Sequence, residues 1–360
     1  VLDSLSFPAL LAVFVVAAGA IWFAGVKLAN TADVLATRLH WGQALGGLIL
    51  LAIATNLPEI AITASAAWRH QIDVATGNIL GGIAIQTVVL VALDVFGVKQ
   101  PDPLTYRAAS LGLVLEGVLV VAVLVVAIMA TQLPSSLLGA RLAPGDVLIA
   151  ILWIVGIVLI GKARDGLPWH DPAGDAPDTQ AGRKQNQADA DKRARHAQAS
   201  MARTAAVFAV AAVVTLVAGV ALEASGTALA GHIHMTGVLF GATFLAAATA
   251  LPELSTGLTA VRDENYKLAI SDIFGGNAFL PVLFLGATLI SGQAVLTQAH
   301  KTDIYLAALG ILLTCAYLYG LIFRPRRRVL RMGVDSLVVL VLYVVGIGGL
   351  VAITLAASGS

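Results

Sequence analysis

The 360-residue sequence predicts an all-α membrane protein of ten transmembrane helices, arranged as two inverted five-helix repeats. Composition is the first reason. Hydrophobic residues make up 58% and charged residues 12% of the chain, about half the charged share of roughly 25% found in soluble domains. Mean hydropathy is +0.89. The second reason is the length of the apolar runs, which approach or reach the roughly 20 residues a helix needs to cross hydrocarbon. They show no alternating ten-residue pattern of the kind that builds a membrane barrel. The third is an internal echo: Ala54-Thr55-Asn56-Leu57-Pro58-Glu59 returns as Ala248-Thr249-Ala250-Leu251-Pro252-Glu253.

Taken in order, the first span covers residues 7–28 and reads as a true membrane helix rather than a signal peptide, because it is long and no basic segment precedes it. Residues 42–67 form the second span and carry the first copy of the motif. Residues 74–97 form the third, with Gly77-Asn78-Ile79-Leu80-Gly81-Gly82 near its start. Nearly pure aliphatic runs define the fourth and fifth, at 108–131 and 145–162. The stretch from Lys162 to Arg203 is rich in Asp, Gln, Ala, Lys and Arg without apolar periodicity, which is the composition of a hydrophilic, partly disordered connector. Beyond it lie the sixth span at 204–223, the seventh at 237–261 with the second motif, and the eighth at 268–291 with Ser271-Asp272-Ile273-Phe274-Gly275-Gly276. The ninth, 303–323, contains the single cysteine Cys315, so no intramolecular disulfide can form. The tenth is 334–356. The expected division is therefore 1–162 as one repeat, 163–203 as connector and 204–360 as the other repeat.

Register supports the duplication. Glu253 and Glu59 differ by 194 positions, as do Pro252 and Pro58, Thr249 and Thr55, Gly275 and Gly81, and Gly276 and Gly82. Five spans, an odd number, separate equivalent elements, so the copies enter the membrane from opposite sides. Such inverted repeats place transporter sites at the repeat interface near the midplane. With the connector in the cytoplasm, 19 of the 22 basic residues fall inside, and only Arg69, Arg141 and Lys301 fall outside. That bias puts both termini outside, in a membrane expected to be a prokaryotic plasma (inner) membrane.

A carboxylate at mid-bilayer depth is costly and normally faces a cavity, a partner or an ion. Glu59 and Glu253 are two such groups at equivalent repeat positions. Pro58 cannot donate to the carbonyl of Ala54, nor Pro252 to that of Ala248, so each frees an oxygen that a cation can use. With the Thr55 and Thr249 hydroxyls these groups suit a hard cation such as Ca²⁺, which takes about six to eight oxygens. No His or Cys joins them, so zinc is poorly served. Asn56, Asn78, Gln86, Asp272 and Asn277 add polar groups nearby, although spacing alone leaves open whether they face one cavity. A lone proline is usually a kink and a Gly-Gly pair usually a packing contact. Asp94 and Glu116 have no repeat counterpart, and a structural and a proton-relay role weigh equally for them. His232 and His234 read as loop residues, and the Arg324 to Arg331 cluster reads as an anchor at the anionic leaflet.

At these residues the chain resembles the cation/Ca²⁺ antiporter superfamily, whose two alpha-repeats carry Gly-Thr-Ser-x-Pro-Glu followed by Gly-Asn-x-x-Gly-Ser-Asn. Thr55, Pro58, Glu59, Gly77, Asn78 and Gly81 match one copy, and Thr249, Pro252, Glu253, Gly275 and Asn277 the other. The resemblance implies cation sites between the second, third, seventh and eighth helices. It implies ligands from Thr55, Glu59, Thr249 and Glu253 and from the carbonyls of Ala52 and Ala246. The family's serine after threonine is Asn56 here and Ala250 in the second copy. Its later serine is Gly82 and Gly276, and the following Asn or Asp is Gln86 and Leu280.

The function expected is secondary active antiport by alternating access, foremost Na⁺/Ca²⁺ exchange, with Glu59 and Glu253 shared between Ca²⁺ and the counter-ions. Because burial favours the neutral form of a carboxyl group, H⁺-coupled exchange (Ca²⁺/H⁺ or Na⁺/H⁺) is the close alternative. A cation channel would need a ring of ligands, usually from oligomeric symmetry. No Ser-His, paired-Asp or His-Glu constellation lies at membrane depth to suggest an enzyme. No cofactor, nucleic acid or obligate protein partner is expected; the partners are inorganic cations and the lipid bilayer.

Overall fold

The computed structural model describes residues 5–38, 53–164 and 200–358. The expected first half of the second span, including Ala52, and most of the connector lie outside them. The helices are α1 (Phe7–Arg38), α2 (Leu57–Trp68), α3 (Ile72–Ala92, continued by a π-turn at Leu93–Gly97), the short α4 (Leu104–Ala108), α5 (Leu111–Ala130) and α6 (Pro144–Arg164). After the connector come α7 (Met201–His232), α8 (Gly237–Thr249), α9 (Leu251–Arg262), α10 (Tyr266–Ser291), α11 (Lys301–Phe323) and α12 (Val334–Ser358). Among the described residues eight helices are long and apolar enough to span a bilayer, or nine if α8 and α9, bent by 43° at Ala250, form one span. Large apolar side chains lie exposed along α1, α6, α7 and α12, including Val16, Phe23, Ile151, Val217 and Val345. Such surface has lipid as its natural solvent.

Local chemistry explains where helices stop and where they outrun expectation. Pro58 and Pro252 fall in the first turn of α2 and α9, where a missing N–H costs nothing, so each proline starts a helix at the break. The sixth span was expected to end at residue 223, yet α7 runs to His232. Its polar residues are absorbed locally: the Ser225 hydroxyl donates to the Ala221 carbonyl at 2.7 Å. Likewise α1 passes residue 28 and reaches Arg38, with the Thr31 hydroxyl donating to the Lys27 carbonyl at 2.7 Å.

Helix boundaries repeat with the same shift as the motif. Helices α1 and α7 are each 32 residues long, 194 positions apart. Helices α2 and α9 are each 12 residues long, again 194 apart. The spans Ile72–Gly97 and Tyr266–Ser291 are each 26 residues long with that shift.

Helices α1 and α7 pack on each other along their length, and α2 lies against α7 while α9 lies against α1. Glycines set these contacts. A Cβ at Gly25 would sit 2.6 Å from Pro252 Cγ, and one at Gly219 would sit 2.7 Å from Ala61 Cβ. The main apolar core is built from α3, α5, α10 and α11, around Ile79, Ile83, Phe274, Phe284 and Tyr317. Here α3 meets α8 backbone to backbone, since a Cβ at Gly77 would lie 2.7 Å from the Val238 carbonyl oxygen.

Asp94, one of the two carboxylates without a repeat partner, is fully buried in the π-turn that ends α3. It accepts hydrogen bonds from Leu104 N (3.0 Å), Gly333 N (2.6 Å) and Ser336 Oγ (2.9 Å), and Arg328 lies 4.0 Å away. These bonds fasten the start of α12, and a two-stranded hairpin of β1 (Arg328–Val329) and β2 (Met332–Gly333), to the end of α3.

Candidate functional site

The breaks before α2 and α9 place one carboxylate each at the third position of a helix whose N–H groups favour negative charge. Glu59 is fully buried and Glu253 nearly so. Glu59 Oε1 accepts from Gln86 Nε2 of α3 at 3.1 Å, and Thr249 also reaches this carboxylate. Glu59 Oε2 and both oxygens of Glu253 have no hydrogen-bond partner among the described residues. Glu253 lies within Coulombic reach of Glu59 and Asp272. Two like charges this near each other in a low-dielectric interior demand protons or a cation to neutralise them.

The remaining expected residues divide. Asn56 Nδ2 lies 3.4 Å from Thr55 Oγ1, and a Cβ at Gly276 would sit 3.4 Å from Asn56 Nδ2 and 3.5 Å from Gln86 Oε1. Asn56 and Gln86 therefore meet α10 at Gly276, with Thr55 and Glu59 bonded to them in turn. Asp272 is half-buried and accepts from Thr256 Oγ1 at 3.4 Å. Asn78 is fully buried, and its carboxamide has no bond among the described residues. Asn277 turns toward α3, donating to Thr87 Oγ1 at 3.1 Å and to the Ile83 carbonyl at 3.4 Å. The carbonyl of Ala246 is engaged by the Thr249 hydroxyl at 3.1 Å and by Ala250 N at 3.0 Å. Ala52 lies outside the described residues. No group of three or more His, Cys, Asp or Glu side chains is arranged to hold a metal ion among the described residues. Oxygens from amides, hydroxyls and carbonyls would have to complete any shell.

The two poles of this cluster differ. Positions 86 and 56 are Gln and Asn, whereas their counterparts 194 residues on are Leu280 and Ala250, both buried. A Cβ at Gly82 would meet Leu280 Cδ1 at 3.3 Å, where Gly276 meets the Gln86 amide instead.

Sequence reading passed over Glu223, a fully buried carboxylate on α7. Its Oε2 accepts from Ser65 Oγ at 2.8 Å and lies 3.6 Å from Arg69 Nε, while Oε1 accepts from Thr227 at 3.4 Å. The signal was available, since any ionisable residue within a span invites a named partner. It sat at the expected end of the sixth span and so passed for a boundary residue. Glu116 lies on α5 and accepts from Ser271 Oγ of α10 at 3.0 Å.

The family model "Sodium/calcium exchanger protein" matches residues 9–161 and 203–351, which is most of the chain. CaxA of Alkalimonas amylolytica is 27% identical over 298 residues, covering 81% of this chain and 85% of that protein. The fold is similar to the crystal structure of the H⁺/Ca²⁺ exchanger CAX, with a TM-score of 0.66 at 15% identity over 97% of this chain and 86% of that one. It is also similar to the sodium-calcium exchanger NCX_Mj, with a TM-score of 0.58 at 15% identity over 95% of this chain and 99% of that one. The chain belongs to the sodium/calcium exchanger family: it is an integral membrane protein and a secondary active cation antiporter, not an enzyme.

Proposed function

We propose that the protein exchanges Ca²⁺ for Na⁺ by alternating access, at a midplane site built on Glu59 and Glu253 with Thr55, Thr249, Asn56, Gln86 and Asp272 around them. The observation that carries this reading is the pair of buried carboxylates, each delivered by a helix that restarts at a proline break, 194 residues apart. Sharing the same carboxylates makes Ca²⁺ and the counter-ions mutually exclusive, and that competition alone couples the fluxes. Alternation follows if residues 1–162 and 204–360 are inverted repeats, joined by a cytoplasmic connector with both termini outside.

Proton coupling is the second reading, and one observation favours it. Leu280 and Ala250 present no side-chain oxygen at the second pole, which a Na⁺ ion would need and a proton on a carboxylate would not. Ca²⁺ uptake into proteoliposomes, driven separately by outward Na⁺ and outward H⁺ gradients with Glu253→Gln as control, decides between them. Uptake that follows Na⁺ and vanishes in the variant supports the first reading; uptake that follows only H⁺ replaces it with the second. No Ca²⁺ flux under either gradient rejects Ca²⁺ as the cargo.

A further inference from the structure

The segment between α11 and α12 is built to do more than turn the chain. Register in the hairpin pairs Val329 with Met332, leaving a two-residue turn of Leu330 and Arg331. Both adopt positive φ, 51° and 69°. Such a turn favours Asn-Gly, and a leucine beside an arginine there is strained. Leu330 is 75% exposed at this turn, and Phe323, which ends α11, is 74% exposed. Around these apolar tips stand Arg326, Arg327 and Arg331, all exposed. Of the neighbouring carboxylates, Asp102 lies 3.8 Å from Arg107 and Asp94 lies 4.0 Å from Arg328, while Asp335 is buried at the start of α12. No carboxylate among the described residues forms an ion pair with Arg326, Arg327 or Arg331. Tyr106 holds Arg326 in place and brings Arg324 beside it: their guanidinium carbons lie 4.8 and 4.9 Å from its ring centroid, and Arg326 also donates to its hydroxyl.

We propose that this hairpin is a binding surface for anionic lipid headgroups, with the three exposed arginines taking the phosphate and Leu330 entering the interface below it. Apolar tips beside guanidinium groups that have no carboxylate partner, at the end of a membrane helix, suit a charged headgroup with acyl chains attached better than a soluble anion. The surface also has a mechanical root, because Arg328 donates to the carbonyls of Gln100 (2.7 Å) and Asp94 (3.1 Å). Headgroup binding therefore bears directly on the end of α3, the helix that carries Asn78 and Gln86. The inference does not depend on which ions are exchanged.

The test titrates the detergent-purified full chain with short-chain phosphatidylglycerol, short-chain phosphatidylcholine and inorganic phosphate, counting bound lipid by native mass spectrometry. Wild type is expected to prefer phosphatidylglycerol. The triple variant Arg326→Gln, Arg327→Gln, Arg331→Gln should bind it about a hundredfold more weakly, with unchanged thermal unfolding. Leu330→Ser, which leaves every charge in place, should keep the headgroup preference and lose affinity for both lipids. Equal binding of the two lipids by wild type overturns the proposal, as does a triple variant that binds like wild type. Displacement of the lipid by equimolar inorganic phosphate would reassign the surface to soluble anions.

Discussion

Alanine at Gly77 tests whether backbone contact between α3 and α8 sets the geometry of the carboxylate cluster. Its Cβ would lie 2.7 Å from the Val238 carbonyl oxygen and 2.9 Å from Val238 Cα. Carbon contacts are comfortable at roughly 3.5–4.0 Å, so the two helices must part by about 1 Å. Both obstructing atoms are backbone, and no rotamer change relieves them. Overpacking of this kind costs about 1–3 kcal/mol of stability. Because α3 also carries Asn78 and Gln86, parting the helices displaces these groups from Glu59, and transport should fall clearly below the wild-type rate. Gly82→Ala is the matched control: its Cβ would meet only the flexible Leu280 Cδ1, at 3.3 Å. That substitution should leave both properties near wild type, with a small gain from helix propensity. Flux in proteoliposomes and thermal unfolding in detergent read the two effects together. A Gly77→Ala protein that transports at the wild-type rate would refute the close-contact argument.

Other substitutions probe single bonds. Gln86→Leu removes the donor to Glu59 Oε1, and a hydrogen bond to a charged group is worth about 1.5–3 kcal/mol, so the apparent Ca²⁺ affinity should fall by roughly tenfold to a hundredfold in uptake titrations. Glu59→Gln should abolish counterflow while leaving the unfolding temperature within a few degrees, which separates a transport role from a folding one. At the α2–α7 contact, Arg69→Met should destabilise more than Glu223→Gln, because Arg69 is 45% exposed and can be hydrated whereas Glu223 is fully buried. Equal losses in thermal unfolding would contradict that. Asp94→Ala strands three hydrogen-bond donors and should cost at least about 3 kcal/mol, read as unfolding or as proteolysis at the 324–333 segment.

What could be read from the chain follows from the physics of each signal. Hydrocarbon thickness makes span length legible, so α5, α6, α11, α12 and, with its π-turn counted, α3 fall within three residues of expectation at each end. The π-turns at Leu93–Gly97 and Gly241–Leu245 were not legible, since an extra residue in a helical turn leaves no compositional trace. Glu59 and Glu253 stood out because a charge in an apolar run is rare. Gln86 could be suspected, but its bond to Glu59 spans 27 positions and depends on the packing of α2 against α3. Asn277 shows the limit most plainly. Its residue type suggests a site ligand, and packing decides which end of the amide is free: Nδ2 serves the α10–α3 contact through Thr87 and Ile83, while Oδ1 is buried with no hydrogen-bond partner among the described residues.

The constant displacement of 194 residues between helix boundaries makes this chain its own aligned relative. A position in one half can be read against the position 194 residues away in the other, within the same molecule. Gln86 against Leu280, Asn56 against Ala250 and Asn78 against Asp272 are then three positions at which the two halves differ. Exchanging each pair would make the two halves alike at these positions, and would show which half does the work of choosing the ion.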